Sequence, residues 1–94
     1  MRIARITTDP EISDKNEWKH HVIDNEVREI FQGKPKIGFI EKGHVAGEDV
    51  YRALGQTQTR RYLTVIFIYK KDKSAFILSA RNMTSKERKR YGKK

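Results

Sequence analysis

Arg61-Tyr62-Leu63-Thr64-Val65-Ile66-Phe67-Ile68-Tyr69 (RYLTVIFIY) is apolar on both faces of an extended chain and rich in branched and aromatic side chains. A strand with one wet face alternates apolar with polar residues. This one does not, which predicts a strand covered on both sides at the centre of a sheet. On its C-terminal side Lys70-Lys71-Asp72-Lys73 reads as a hairpin turn, and Ser74 to Ala80 returns as a further strand. On its N-terminal side Glu48 to Gln56 reads as another strand. Before that lie a polar loop bracketed by Gly43 and Gly47 and a strand over residues 36–41, where Ile37 and Phe39 alternate with Lys36 and Gly38.

Further upstream the period lengthens. Asp24 is suited to cap a helix, Glu26 to sit in its first turn, and Val27, Ile30 and Phe31 form an i, i+3, i+4 stripe that Gly33 and Pro35 end. Ser13 is suited to cap a shorter helix from Asp14 to His21, with Trp18 facing inward. The opening Met1 to Thr8 reads as a short edge strand before the Asp9-Pro10 turn signal. Thr84 and Glu87 have capping-box spacing for a last charged helix ending near Tyr91-Gly92. The expected architecture is α+β: one domain over 1–94, with an antiparallel sheet, two helices from the N-terminal half packed on it, and a short C-terminal helix.

Composition limits the chemistry. Lys and Arg number 21 against 12 Asp and Glu, a net charge of +9, while 36% hydrophobic residues still suffice for a core. Such an excess calls for a polyanionic partner, whether nucleic acid, an acidic protein or an anionic membrane. Without cysteine, disulfides, thiolate metal sites and thiol nucleophiles are excluded. No apolar run approaches the roughly 20 residues that span a bilayer, and the N-terminus has no apolar signal core, so a cytoplasmic location is expected. The glycines form neither a P-loop nor a Rossmann fingerprint. The basic tail lacks the apolar face of an interfacial helix, so membrane binding is not expected.

Three ordered stretches carry a resemblance. They are Trp18-Lys19-His20-His21-Val22 with Asn25 to Phe31; Gly47 to Gly55 running into Arg61 to Val65; and Ile77 to Thr84 followed by Glu87, Arg88 and Tyr91. As a set they resemble the BrnT-type toxins of bacterial type II toxin–antitoxin modules. That resemblance implies a RelE/ParE-like α+β fold and ribonuclease activity that blocks translation. It also implies neutralisation by a BrnA-like ribbon-helix-helix antitoxin, the toxin being a monomer alone or part of a heterotetramer with it. The sequence departs from the family pattern twice: His21 follows Lys19-His20 where a glycine is usual, and Val50 precedes Tyr51 where many members carry arginine.

Metal-free RNA cleavage needs a base for the 2′-hydroxyl, cations for the charge gathered on phosphorus, and an acid for the leaving 5′-oxygen. No obvious carboxylate pair is present to hold two metal ions, so the expectation is cleavage with no cofactor and no metal site. Lys19 and His20 stand at the family's Lys-His position, where an imidazole can move protons and an ammonium can hold phosphate; the plainer reading is a solvated helix end. Arg52 and Arg81 can fork phosphate oxygens, or each can pair with Glu48, Asp49 or Glu87. From Arg81 to Lys94 the chain gathers six of its nine net positive charges, and Lys86, Arg88, Lys89 and Arg90 are the candidate RNA contacts. Tyr91 can stack on a base, donate a proton, or simply pack. The expected activity is therefore a metal-independent endoribonuclease toxin acting on RNA. The alternative is a non-catalytic RNA- or protein-binding module of the same fold, and Val50 is the residue that favours it.

Overall fold

The computed structural model describes residues 1–93. In chain order the elements are β1 (Arg5–Thr7), α1 (Pro10–His20), α2 (Asp24–Gln32), β2 (Lys36–Val45), β3 (Glu48–Gln56), β4 (Tyr62–Tyr69), β5 (Ser74–Asn82) and α3 (Ser85–Gly92). They form one five-stranded sheet ordered β1-β5-β4-β3-β2, so β4 is the central strand. Leu63, Val65 and Phe67 on one face of β4 are fully buried, as is Thr64 on the other. Ile66 and Ile68 on that second face are only half-buried, so the covering on both sides that the apolar pattern predicts is incomplete.

The sheet is mixed, which corrects the antiparallel expectation. Strands β2 to β5 run antiparallel, but β1 pairs in parallel with β5, placing Ile6 opposite Ala75. Alternation reveals that a segment is extended. It does not reveal which strand it joins, and here the first strand joins the last.

The sheet's two faces differ. Val27 and Ile30 of α2 meet Ala53, Val65 and Phe67 on one face, with Phe31 set edge-on to Phe67 at 5.2 Å between ring centres. Close packing requires Gly55 there, because a Cβ at that position would lie 2.9 Å from Ile30 Cγ2. The other face carries Arg52, Leu54 and Thr64, and it receives α3.

Helix α1 begins at Pro10, a residue suited to a first helical position, with Asp9 as its N-cap. The Ser13 hydroxyl donates instead to the Asp24 carboxylate (2.8 Å), tying α1 to α2. Ile23, not Asp24, is the N-cap of α2, and its N–H donates to Glu26. Trp18 does not face inward: it is 71% exposed. The buried residue of α1 is Asn16, whose Oδ1 accepts the Ala80 N–H at 3.1 Å. Strand β1 pairs only with residues 74–76, so it leaves that amide at the edge of β5 unmet, and a polar side chain serves there better than an indole.

Strand β2 runs past residue 41 to Val45 with irregular register, so Gly43 lies in a strand, not a loop. A Cβ on Gly43 would lie 1.9 Å from the Glu48 carbonyl oxygen.

Candidate functional site

One end of the sheet gathers the final residues of β3 and β5, the start of β4, the C-terminus of α1 and helix α3. At its centre is Glu87, in the first turn of α3 and 6% exposed. Its Oε1 accepts from Arg81 Nη1 (2.7 Å), the Thr84 N–H (2.8 Å) and Thr64 Oγ1 (2.9 Å), and its Oε2 from Arg81 Nη2 (3.0 Å). Arg52 Nη1 lies 3.6 Å from the same Oε2. Burial alone would push this carboxyl up. The bonds from Arg81, Thr84 and Thr64 outweigh it and hold the pKa at about 2. The same pairing raises that of Arg81 above its ordinary value.

The register produces this cluster. Leu54, Thr64 and Arg81 form one cross-strand row on the α3 face, and Arg52 lies two residues along β3 on that face. The Thr84 hydroxyl accepts the Glu87 N–H at 3.2 Å, completing the capping box and fixing Glu87 above the row. Two guanidinium groups thus share one carboxylate, leaving a unit of positive charge, and both remain partly open to solvent.

The C-terminus of α1 approaches from the opposite face. The His20 pKa is lowered by partial burial and by the positive charges of Lys19, Lys15, Arg81 and His21. Arg81 is therefore close enough for its charge to act on the imidazole. Lys19 is exposed in the same last turn, where a cation also complements the helix dipole. His21 ends the helix in the left-handed region (φ 55°), which explains why glycine suits that position.

Sequence reasoning missed Arg61. Its Nη1 donates to the His21 carbonyl (2.6 Å) and to Glu26 (2.9 Å), and its Nη2 to Asn82 Oδ1 (3.1 Å). It therefore fastens the Lys19-His20 turn to α2 and to the end of β5. Nothing in Arg60-Arg61 shows which arginine turns inward; only the strand boundary decides it.

Helix α3 presents Lys86, Arg88, Lys89 and Arg90 to solvent. Arg88 lies over the Tyr62 ring at 3.8 Å, and Tyr91 packs edge-on to that ring at 6.0 Å, so two residues one turn apart straddle one β4 aromatic. The Lys36 ammonium caps the helix end by donating to the Arg90 carbonyl (2.9 Å) and to that of Lys93. Lys94, counted in the basic tail, lies outside the described residues.

The structure therefore brings Arg52 and Arg81 together on Glu87, and the charge of Arg81 reaches His20 at the end of α1, where Lys19 is exposed. Tyr91 has a packing partner in Tyr62. Val50 is buried on the Arg52 face, opposite Ile68. Among the described residues no group of three or more His, Asp or Glu is arranged to hold a metal ion. No helix among them is long and apolar enough to cross a membrane.

Fold and site together define a small α+β domain in which Arg52 and Arg81, from neighbouring parts of one sheet face, share the carboxylate of a basic terminal helix. Over residues 9–87 the chain matches the family described as ribonuclease toxin, BrnT, of type II toxin-antitoxin systems, and it belongs to that family. No curated protein matches it significantly. Membership implies a protein antitoxin as partner.

Proposed function

We propose that this chain is a metal-independent endoribonuclease toxin that cleaves RNA at the His20–Arg81 end of the sheet and thereby inhibits translation. The observation that carries the reading is the pair of partly exposed arginines, Arg52 and Arg81, held on one buried carboxylate, with His20 close enough to that end of the sheet for its pKa to be lowered in part by the charge of Arg81. Neutral His20 accepts the proton of a ribose 2′-hydroxyl, and the freed oxygen attacks phosphorus. Arg81, Arg52 and Lys19 stabilise the charge gathered on the phosphoryl oxygens. The P–O5′ bond breaks, leaving a 2′,3′-cyclic phosphate, and the imidazolium returns its proton to the 5′-oxygen. Lys86, Arg88, Lys89 and Arg90 hold the flanking strand by its phosphates, with Tyr91 placed to stack on a base. A RelE/ParE-like classification, a BrnA-like ribbon-helix-helix antitoxin, a heterotetramer with it and a cytoplasmic setting belong to the same reading.

The test is RNA cleavage in EDTA. Wild type should produce 2′,3′-cyclic phosphate ends, and His20→Ala and Arg81→Ala should each lose at least a hundredfold in rate while keeping a native circular dichroism spectrum. A wild type as inert as the variants at high enzyme concentration sinks the catalytic reading. Burial of Val50 where many relatives carry arginine favours the second reading, a binding module without turnover. That reading expects salt-sensitive RNA affinity together with normal growth on induced expression.

A further inference from the structure

A second surface lies on the sheet face away from Arg52 and Glu87. The N-terminal segment, α2 and the start of β2 enclose an open groove of about 760 Å³. Ile3, Ile6, Phe31, Pro35, Ile37 and Tyr51 line it, with Arg5 and Arg28 among the lining and no acidic residue. Such a volume takes several side chains, not one.

The apolar surface continues outward. Phe31, Phe67, Tyr51 and Phe39 form a file with successive ring-centre distances of 5.2, 5.9 and 6.0 Å. The file leads from the core to Phe39, which is 58% exposed on the edge strand β2. A large aromatic left in water at the end of a packed file, beside an apolar groove, marks an interaction surface.

We infer that this groove is where the antitoxin docks, through an amphipathic segment whose apolar residues fill the groove and cover Phe39 while its acidic residues meet Arg28, Arg5 in the lining being already paired with Asp72 at 3.1 Å. The inference rests on the toxin–antitoxin reading for the existence of a protein partner. Charge selects the occupant: a second copy would bring +9 against +9 and set its own arginines against these. RNA would leave the apolar lining unmatched. The groove and the Arg52–Arg81–Glu87 cluster lie on opposite faces, so the partner's anchor is separate from the two arginines assigned to phosphate.

The experiment co-expresses the chain with the protein encoded in the adjacent reading frame and measures binding and inhibition of RNA cleavage. Phe39→Asp and Arg28→Glu, both at exposed positions, should cleave RNA like wild type. Each should weaken binding at least tenfold and escape inhibition at partner concentrations that silence wild type. Amide exchange in the complex should slow at residues 3–6 and 37–51. Variants that bind as tightly as wild type, or protection confined to α3, overturn the assignment. So does a wild-type chain that does not bind the neighbouring protein, or one whose self-association is abolished by Phe39→Asp. Absence of cleavage by wild type speaks against the nuclease reading alone, since the binding arm still reports on the groove.

Discussion

Arg81 grips Glu87 through two parallel N–H···O bonds of 2.7 and 3.0 Å, and that carboxylate also lies within 3.6 Å of Arg52. One acid therefore sets the positions of both arginines assigned to phosphate. Replacing it with an amide leaves two guanidinium groups without their counter-charge, and breaking a buried ion pair from one side costs about 3–5 kcal/mol. Partial exposure of the arginines reduces this, so Glu87→Gln should lose about 2–3 kcal/mol in urea denaturation at neutral pH. An unchanged midpoint would show that the cluster is not structural.

Acid should unfold the protein through the same residue. The Glu87 carboxyl is held at about 2 against an ordinary 4.5. A depressed carboxyl contributes stability that is complete above its unfolded value and is lost as pH falls toward its folded value. Stability should thus fall by roughly 3 kcal/mol between about pH 5 and pH 2 from this group. Denaturation midpoints measured across that window should flatten in Glu87→Gln.

His20 should titrate below its ordinary value of 6.5, since partial burial and four neighbouring cations disfavour the imidazolium. If it is the base, kcat/KM should rise with pH through that lowered value, with its midpoint below that of a free imidazole. Lys15→Ala removes one of the cations and should move the acid limb upward. Imidazole resonances followed by NMR give the same order without relying on turnover.

The α3 cations should govern salt sensitivity. If Lys86, Arg88, Lys89 and Arg90 each meet a phosphate of single-stranded RNA, removing one should lower the slope of log affinity against log salt by about 0.7. Fluorescence titrations of single alanine variants over a salt series measure this. Slopes equal to wild type in all four would place the RNA elsewhere.

His21 sits at φ 55° without the freedom of glycine. His21→Gly should raise stability by roughly 1 kcal/mol, less the backbone entropy that glycine brings to the unfolded chain. A lower thermal midpoint would mean that the imidazole makes a contact worth more than the strain.

Much of the plan was legible because it rests on local rules. The two-faced apolar run placed β4 at the centre, the Val27, Ile30, Phe31 stripe placed the buried side of α2, and Thr84 with Glu87 marked the start of α3. The ordered motifs also gave the family. Errors fell where a residue's fate depends on a distant partner. Trp18 looked like core, yet α1 turns Asn16 inward, where its Oδ1 accepts the Ala80 amide that β1 does not reach. Glu87 looked like a capping residue, and it is also the counter-ion of two arginines from different strands.

The order of residues alone determined which segments are extended or helical, how much charge the chain carries, and that thiol chemistry is absent. These follow from side-chain periodicity and composition, which need no partner. Only tertiary structure decided that β1 lies parallel to β5, that Arg61 locks the Lys19-His20 turn, and that an apolar groove lies on the face away from Glu87. Contacts between residues tens of positions apart are chosen by how whole elements pack, and no local pattern encodes that choice.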